Sequence, residues 1–412
     1  MDMKPGYKQT EVGVISEDWE IFLVSYLGET KRGAGSLCIR YRQSGGVRLI
    51  RINDFFQDNP VFVEPTDEIM RYSIRERDLL FAGTGASAGA SYLPKKEWIG
   101  LPHSYNAPRI RVFENHCKEY LLYSLQSNYV IKQQRAWFVG NAQPFLDTKA
   151  ISSFSIAVPP TKAEQEAIAA ALSDVDALIT ALDRLIAKKR DIKQAAMQEL
   201  LTGKRRLPGF ANDKGFKKTE IDEIPRDWDR RSFGDVAEVI MGQSPGGTSY
   251  NQMGTGVPLI NGPTEFTDKY PIKIQWTTQP TKTCKDGDLL LCVRGSSTGR
   301  MNVSDDIYCI GRGVAAIRAK SGSDTRFLTY LLHSAIQRLL SFSTGSTFPN
   351  IDRKSISSIQ IGLPSLSEQQ SITSILSDMD AEIAALETRR EKTITLKRGM
   401  MQELLTGRIR LV

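Results

Sequence analysis

Residues 164–203 and 368–407 are one forty-residue segment written twice. The copies (EQEAIAAALSDVDALITALDRLIAKKRDIKQAAMQELLTG and EQQSITSILSDMDAEIAALETRREKTITLKRGMMQELLTG) align without gaps at an offset of 204, with 20 of 40 positions identical. Ordinary amino-acid usage would give about two or three identities by chance. A second match precedes each copy: Tyr7-Lys-Gln-Thr-Glu…Asp18-Trp19 returns as Phe216-Lys-Lys-Thr-Glu…Asp227-Trp228. Weaker echoes lie between. Asp78-Leu-Leu with a small-residue loop (GTGASAG) returns as Asp288-Leu-Leu with RGSSTG, Tyr120-Leu-Leu-Tyr as Phe327-Leu-Thr-Tyr, and Lys149-Ala-Ile-Ser-Ser as Lys354-Ser-Ile-Ser-Ser. The chain is therefore expected to be a tandem duplication, with segments 1–157 (globular), 158–207 (long helix), 208–361 (globular) and 362–412 (long helix).

The repeated segment reads as helix. Thr161-x-x-Glu164 and Ser365-x-x-Glu368 fit capping boxes just after prolines, and Gly203 and Gly407 stand where a left-handed C-terminal cap is wanted. Apolar residues recur in alternating steps of four and three at Ile168, Leu172, Val175, Ile179, Leu182 and Ile186. The second copy repeats them at Ile372, Leu376, Met379, Ile383 and Leu386, resuming at Met400 and Leu404. That is a heptad seam. A helix of about 41 residues would be about 60 Å long, too long to bury its stripe on one small domain. Antiparallel pairing with its duplicate is the expected solution, against the alternative that each helix packs separately on its neighbouring domain. The seam turns polar at Lys189 and Lys193, and at Arg390, Thr393 and Lys397. Such a break either sets register or faces a third chain. The globular parts read as mixed α/β, with strands at Val47–Ile52, Asp78–Phe81 and Asp288–Val293 and helices near 118–133 and 325–340. Residues 203–215 read as a polar connector. The fold class is α+β: two similar α/β domains separated by two long paired helices, pseudo-twofold symmetric.

Composition narrows the function. Lys plus Arg number 54 against 47 Asp plus Glu, a net charge of +7. The surplus is +2 for residues 1–157, +2 for 158–210, +3 for 211–361 and zero thereafter, so both globular parts share it. Such a balance permits a polyanion partner. Five cysteines (38, 117, 284, 292, 309) form no CxxC, and three histidines include no HExxH, so neither disulfides nor a metal site is expected. The polar, charged start does not read as a secretory signal and no long apolar run is present, so a cytoplasmic chain without a membrane partner is expected. No Walker A or GxSxG motif occurs. Phe81-Ala-Gly-Thr-Gly resembles the loop with which methyltransferases hold S-adenosylmethionine, yet its internal counterpart, Leu291-Cys-Val-Arg-Gly, loses the pattern. The nearest string to an amine-gripping motif, Asn59-Pro-Val-Phe, lacks its second proline. No catalytic residue and no cofactor are expected.

What the globular parts do offer is small-residue loops bearing arginines. The first has Arg40, Arg42, Arg48, Arg51, Thr84, Ser87, Arg109 and Arg111. The second has Gln243, Ser244, Arg294, Ser296, Ser297, Arg300, Arg312 and Arg318. Small residues admit close approach to a phosphate, and Arg, Asn and Gln are the side chains that read purine edges. For any single residue, a plain surface loop is the competing reading.

The whole chain resembles the specificity subunit of type I restriction–modification systems. The resemblance rests on the duplicated EQ…LSD…MQELLTG helix, the K-x-T-E…DW lead-in, the DLL-loop echo, and Gly140-Asn-Ala-Gln-Pro-Phe-Leu-Asp with its looser counterpart Gly345-Ser-Thr-Phe-Pro-Asn-Ile-Asp. Asn141, Gln143, Ser346 and Thr347 in those stretches join the DNA-contact candidates. The resemblance implies two target recognition domains, each reading half of a bipartite, asymmetric double-stranded DNA target. It implies helices that set the spacer and dock two methyltransferase subunits, with the seam residues Ile168 to Leu182 and Ile372 to Leu386 at that docking and pairing surface. Restriction subunits would add to these, and adenine-N6 methylation and ATP-dependent cleavage would belong to the partner subunits. The competing expectations are an orphan DNA-binding scaffold or decoy, a self-sufficient DNA methyltransferase, and a coiled-coil structural protein without a DNA role.

Overall fold

A computed structural model describes residues 5–138, 144–211, 215–218, 223–267, 270–342 and 350–411. The contacts divide the chain into two units, Met1–Arg184 with Glu387–Val412, and Leu185–Leu386. The long helices run Lys162–Leu201 and Leu366–Leu404, and each gives one half to each unit. No helix among the described residues is long and apolar enough to cross a membrane.

In unit 1 a four-stranded antiparallel sheet carries Gly28–Lys31, Arg109–Val112, Asp78–Phe81 and Ser91–Tyr92 in that order. Asp78 is fully buried at its heart and is neutralised by Arg111, whose Nε and Nη2 donate to its two oxygens at 2.8 and 2.9 Å. Helix Lys118–Leu125 covers the sheet and stops at Gln126. The Ser127 hydroxyl accepts from the Val130 N–H at 3.4 Å and opens a second helix, Asn128–Phe138, so the single stretch expected over 118–133 is two helices. The expected strand through Ile52 likewise ends at Leu49, because Asp54 accepts from the Arg51 N–H at 2.8 Å and turns Ile52–Phe55 into a short 3-10 helix.

Unit 2 repeats this scaffold. Its sheet holds Ala237–Met241, Val314–Ala319, Leu289–Cys292 and Met301–Val303, and Asp288 takes Arg318 in the same two-pronged way at 2.9 and 2.6 Å. The covering helix, Thr325–Phe342, is continuous. A second four-stranded sheet, in the order Tyr250–Asn251, Trp276–Thr277, Val257–Ile260, Cys309–Ile310, is built on this unit.

The repeated helix motif has a separate job at each end. Thr161 and Ser365 cap the helix starts, accepting from the N–H of Glu164 at 3.2 Å and of Glu368 at 3.3 Å. The glutamates turn inward instead of completing the expected box: Glu164 pairs with Arg410 and Glu368 with Arg206. The neighbouring glutamines reach sideways, Gln165 accepting from the Cys117 N–H and Gln369 from the Asp324 N–H, both at 2.9 Å, and so tie down the start of each covering helix. Gly203 and Gly407 adopt φ +69°, and a Cβ there would meet Pro225 at 2.4 Å and Ser16 at 2.8 Å. The stretch after Gly203 is thus more than a connector, since Arg206 also binds Asp227 at 2.7 Å.

Within each unit the two helix segments run antiparallel. In unit 1, Lys397 binds Asp176 at 2.7 Å and Arg390 binds Asp183; in unit 2, Lys189 binds Glu382 at 2.6 Å and Lys193 binds Asp380. The polar centre of the seam is therefore used for pairing. Ile168, Leu172, Leu182, Ile372, Leu376 and Ile383 are buried, while Val175, Ile179, Met379 and Leu386 are half-buried. Ile168 and Leu172 join Trp19, Tyr120, Phe154, Leu404 and Leu405 in the unit 1 core; Ile372 and Leu376 join Trp228, Phe327, Leu200 and Leu201 in unit 2. Each such side chain contributes roughly 1.5–3 kcal/mol by burial. The expectation that the seam serves both helix pairing and partner docking is corrected in its docking part for these four residues: the cores of their own units, each with residues of the other long helix, already occupy them.

Candidate nucleic-acid interface

Antiparallel strand order decides which loops meet. In unit 1 Arg109 pairs with both Lys31 and Leu80, so the exit of Gly28–Lys31, the exit of Asp78–Phe81 and the entry of Arg109–Val112 share one end of the sheet. In unit 2 Met241 and Leu291 both pair with Ala315, which gathers the corresponding three loops. Glycine locks the first loop against the third in both units. A Cβ on Gly33 would lie 2.1 Å from the His103 carbonyl oxygen, and one on Gly242 would lie 2.2 Å from that of Gly311.

The middle loops are the same turn with different side chains. Gly85 and Gly89 have φ +81° and +97°, and Gly295 and Gly299 have +85° and +92°. The Gly89 N–H donates to the Ala82 carbonyl at 2.9 Å, and that of Gly299 to Cys292 at 2.8 Å. The glycines of Phe81-Ala-Gly-Thr-Gly thus serve a turn that its counterpart reproduces with Arg294 in place of Thr84. The segment before each long helix clips onto this loop. The Leu146 N–H donates to Gly83 at 2.8 Å, as that of Ile351 does to Val293 at 2.9 Å. Asp147 and Asp352 then cap short helices, accepting from Ala150 and Ser355, each at 2.7 Å.

The three loops of unit 1 border a cleft of about 930 Å³ whose lining includes Arg51, Asn53, Thr84, Ser87, Tyr105 and Asn106. Arg51, Thr84 and Ser87 are brought together there. Arg40 and Arg42 are exposed but lean on Glu64, at 3.9 and 3.2 Å. Two candidates are corrected. Arg109 is 6% exposed and bound to Glu29 at 2.9 Å, because its position in the central strand turns it inward. Arg48 is held by Asp54 and Asp58 at 2.6 and 2.7 Å, so its charge is spent on the short 3-10 helix and the turn that follows it. In unit 2, Gln243, Arg294, Ser296 and Arg312 are exposed on the three gathered loops. Arg300 is exposed as well, though its Nη2 donates to the Phe266 carbonyl at 2.9 Å. Asn141, Gln143, Ser346 and Thr347 lie outside the described residues.

Sequence reasoning missed Arg32, whose guanidinium carbon lies 4.1 Å from the Tyr105 ring centre and 5.1 Å from that of Phe145. The available signal was the alignment of Arg32 with Met241 in otherwise matched strands, which marks a position where the repeat diverges beside the loops. His103, behind the loops, adds no charge. It is fully buried, its Nδ1 bonded to the Ala107 carbonyl at 2.7 Å, and burial pulls its pKa down to about 4.

Comparison with known proteins agrees with this duplicated architecture. The model of the type I restriction modification DNA specificity domain matches twice, over residues 16–192 and 225–396. The type I restriction enzyme MjaX specificity subunit of Methanocaldococcus jannaschii is 32% identical over 98% of this chain and 96% of its own length. The MjaVIII specificity subunit of the same organism is 26% identical over 96% of this chain and 94% of that one. A chain solved in a study of complex assembly and conformational transition of the type I R-M system shares the fold, with a TM-score of 0.62 at 23% identity over 96% of this chain and 99% of that one. The chain belongs to the type I restriction–modification specificity subunits, and it is a DNA-recognition subunit with two specificity domains.

Proposed function

We propose that the three-loop end of each unit reads one half of a split, asymmetric double-stranded DNA target. One observation carries this. The two sheets, their buried Asp–Arg pairs and their glycine turns match, whereas the loop tips differ: Arg32 against Met241, Thr84 against Arg294, Tyr105 against Arg312. A shared scaffold with divergent tips suits two readers of different base sequences. The segment boundaries at 157, 207 and 361 then separate recognition domains from the long helices that set the spacer. The helix faces left outside the seam dock two methyltransferase subunits, to which restriction subunits add. Adenine-N6 methylation and ATP-dependent cleavage reside in those partners, this chain contributes binding alone, and the complex works in the cytoplasm.

The test is a methylome. The chain is co-expressed with its native methyltransferase subunit, and N6-methyladenine is mapped with and without its gene. A split motif that depends on the gene is the expected result. An assembled complex that adds no motif would refute the reading.

A further inference from the structure

We propose that Arg32 reads a guanine in the half-site bound by unit 1; the inference rests on the DNA-reading role above. Most arginines around this sheet are spoken for by carboxylates: Arg109 by Glu29, Arg111 by Asp78, Arg48 by Asp54 and Asp58, Arg40 and Arg42 by Glu64. Among the described residues no carboxylate lies within ion-pair distance of Arg32. Its guanidinium rests instead on aromatic faces, 4.1 Å from the Tyr105 ring centre and 5.1 Å from that of Phe145. Stacking holds the plane of the group while leaving its N–H edge available to a ligand.

The surroundings fix this posture before any DNA arrives. Arg32 follows directly on strand Gly28–Lys31 and precedes Gly33, whose backbone is pressed against His103. Tyr105 is anchored by its N–H, which donates to the Ala34 carbonyl at 2.8 Å; Phe145 is bridged to Thr84 and followed by the buried Leu146. Both rings stay open to solvent, Tyr105 at 46% and Phe145 at 41% exposure, so the stack stands at the rim of the cleft. A planar two-pronged donor with no internal acceptor matches the O6 and N7 acceptors that guanine presents in the major groove. Unit 2 has Met241, Arg312 and Asn350 at the three matching positions, so the device belongs to one half-site only.

Arg32→Lys separates base reading from phosphate binding, since it keeps the charge and loses the fork. Methylomes of wild type, Arg32→Lys and Arg32→Ala, each with the native methyltransferase subunit, provide the readout, and thermal melting verifies the fold. The expected result is that both variants lose preference at a single G·C position of one half-site, by roughly ten- to hundred-fold, with the other half-site unchanged. Arg32→Lys methylating the wild-type motif with wild-type preference would overturn the assignment in favour of a phosphate contact. So would a loss spread evenly over all positions in Arg32→Ala. A wild-type complex that methylates no split motif would overturn the DNA-reading role itself, and the inference with it.

Discussion

Glu164 and Glu368 are 1% and 2% exposed, and enclosing a carboxylate so completely is costly unless an opposite charge and hydrogen bonds compensate it. Arg410 and Arg206 supply that charge, and each also grips the aspartate of the lead-in, Asp18 and Asp227 respectively, at 2.9 and 2.7 Å. Each arginine thus ties the end of one long helix, the start of the other and the lead-in into a single knot. The copies are not identical: Trp228 Nε1 donates to Glu368 at 3.1 Å, whereas Trp19 Nε1 is buried without a partner among the described residues. Arg206→Met strands the Glu368 carboxylate and should destabilise unit 2 by about 3–5 kcal/mol. Adding Glu368→Gln should recover part of that loss. Urea unfolding with hydrogen exchange over the strands Glu223–Pro225 and Asp229–Ser232 measures both, and a double variant no better than the single would contradict the account. The Glu-Gln dipeptide and the Asp-Trp lead-in were visible in the sequence as repeats. Their partnership was not, because Arg206 and Glu368 are 162 residues apart and only folding joins them. The heptad period, by contrast, was legible because it is local.

At the scale of elements, the polar seam is the informative case. Lys193, Asp380 and Tyr330 form one cluster, and Lys397, Asp176 and Tyr123 form its copy. The tyrosine hydroxyls donate to the aspartates at 2.7 and 2.9 Å, and the ammonium groups lie 5.4 and 5.2 Å from the ring centres. Each cluster links both long helices to the helix that covers the sheet, so it fixes register and holds the recognition domain on the pair at once. The same geometry arising from both copies of the duplication argues that it is a requirement of the fold. Charge reversal at Lys193→Asp should lower the melting temperature, and the exchanged pair Lys193→Asp/Asp380→Lys should restore it in part. A double-mutant cycle is expected to give a coupling of about 0.5–1 kcal/mol, since both side chains are partly exposed. Zero coupling would reduce the contact to an incidental surface pair. Sequence periodicity located the lysines but left open whether they faced the partner helix or a third chain, because the carboxylates they meet lie on the other copy. The break in the helix at Gln126 was equally hidden, since one serine hydroxyl, and no proline or glycine, opens the next helix.

For the whole molecule, each long helix contributes to both units while each half-site reader belongs to one. Helix length is therefore the quantity expected to set the distance between half-sites, and loop chemistry the quantity expected to set their sequence. Four residues inserted at the middle of each long helix add about 6 Å of rise, against about 3.4 Å for one base-pair step. Four is also one of the two steps of the heptad seam, so the insertion is accommodated as a local change in winding without exposing the apolar stripe. Both helices must be lengthened together, because lengthening one alone would shift Lys193 past Asp380 or Lys397 past Asp176. The doubly lengthened chain, with its methyltransferase subunit, should methylate a motif whose two half-sites are unchanged and whose spacer is one or two base pairs longer. The singly lengthened chain should lose methylation or assembly. A doubly lengthened chain that kept the original spacer at full activity would show that the helices are not the ruler. The distance would then have to be set by the subunits docked on them.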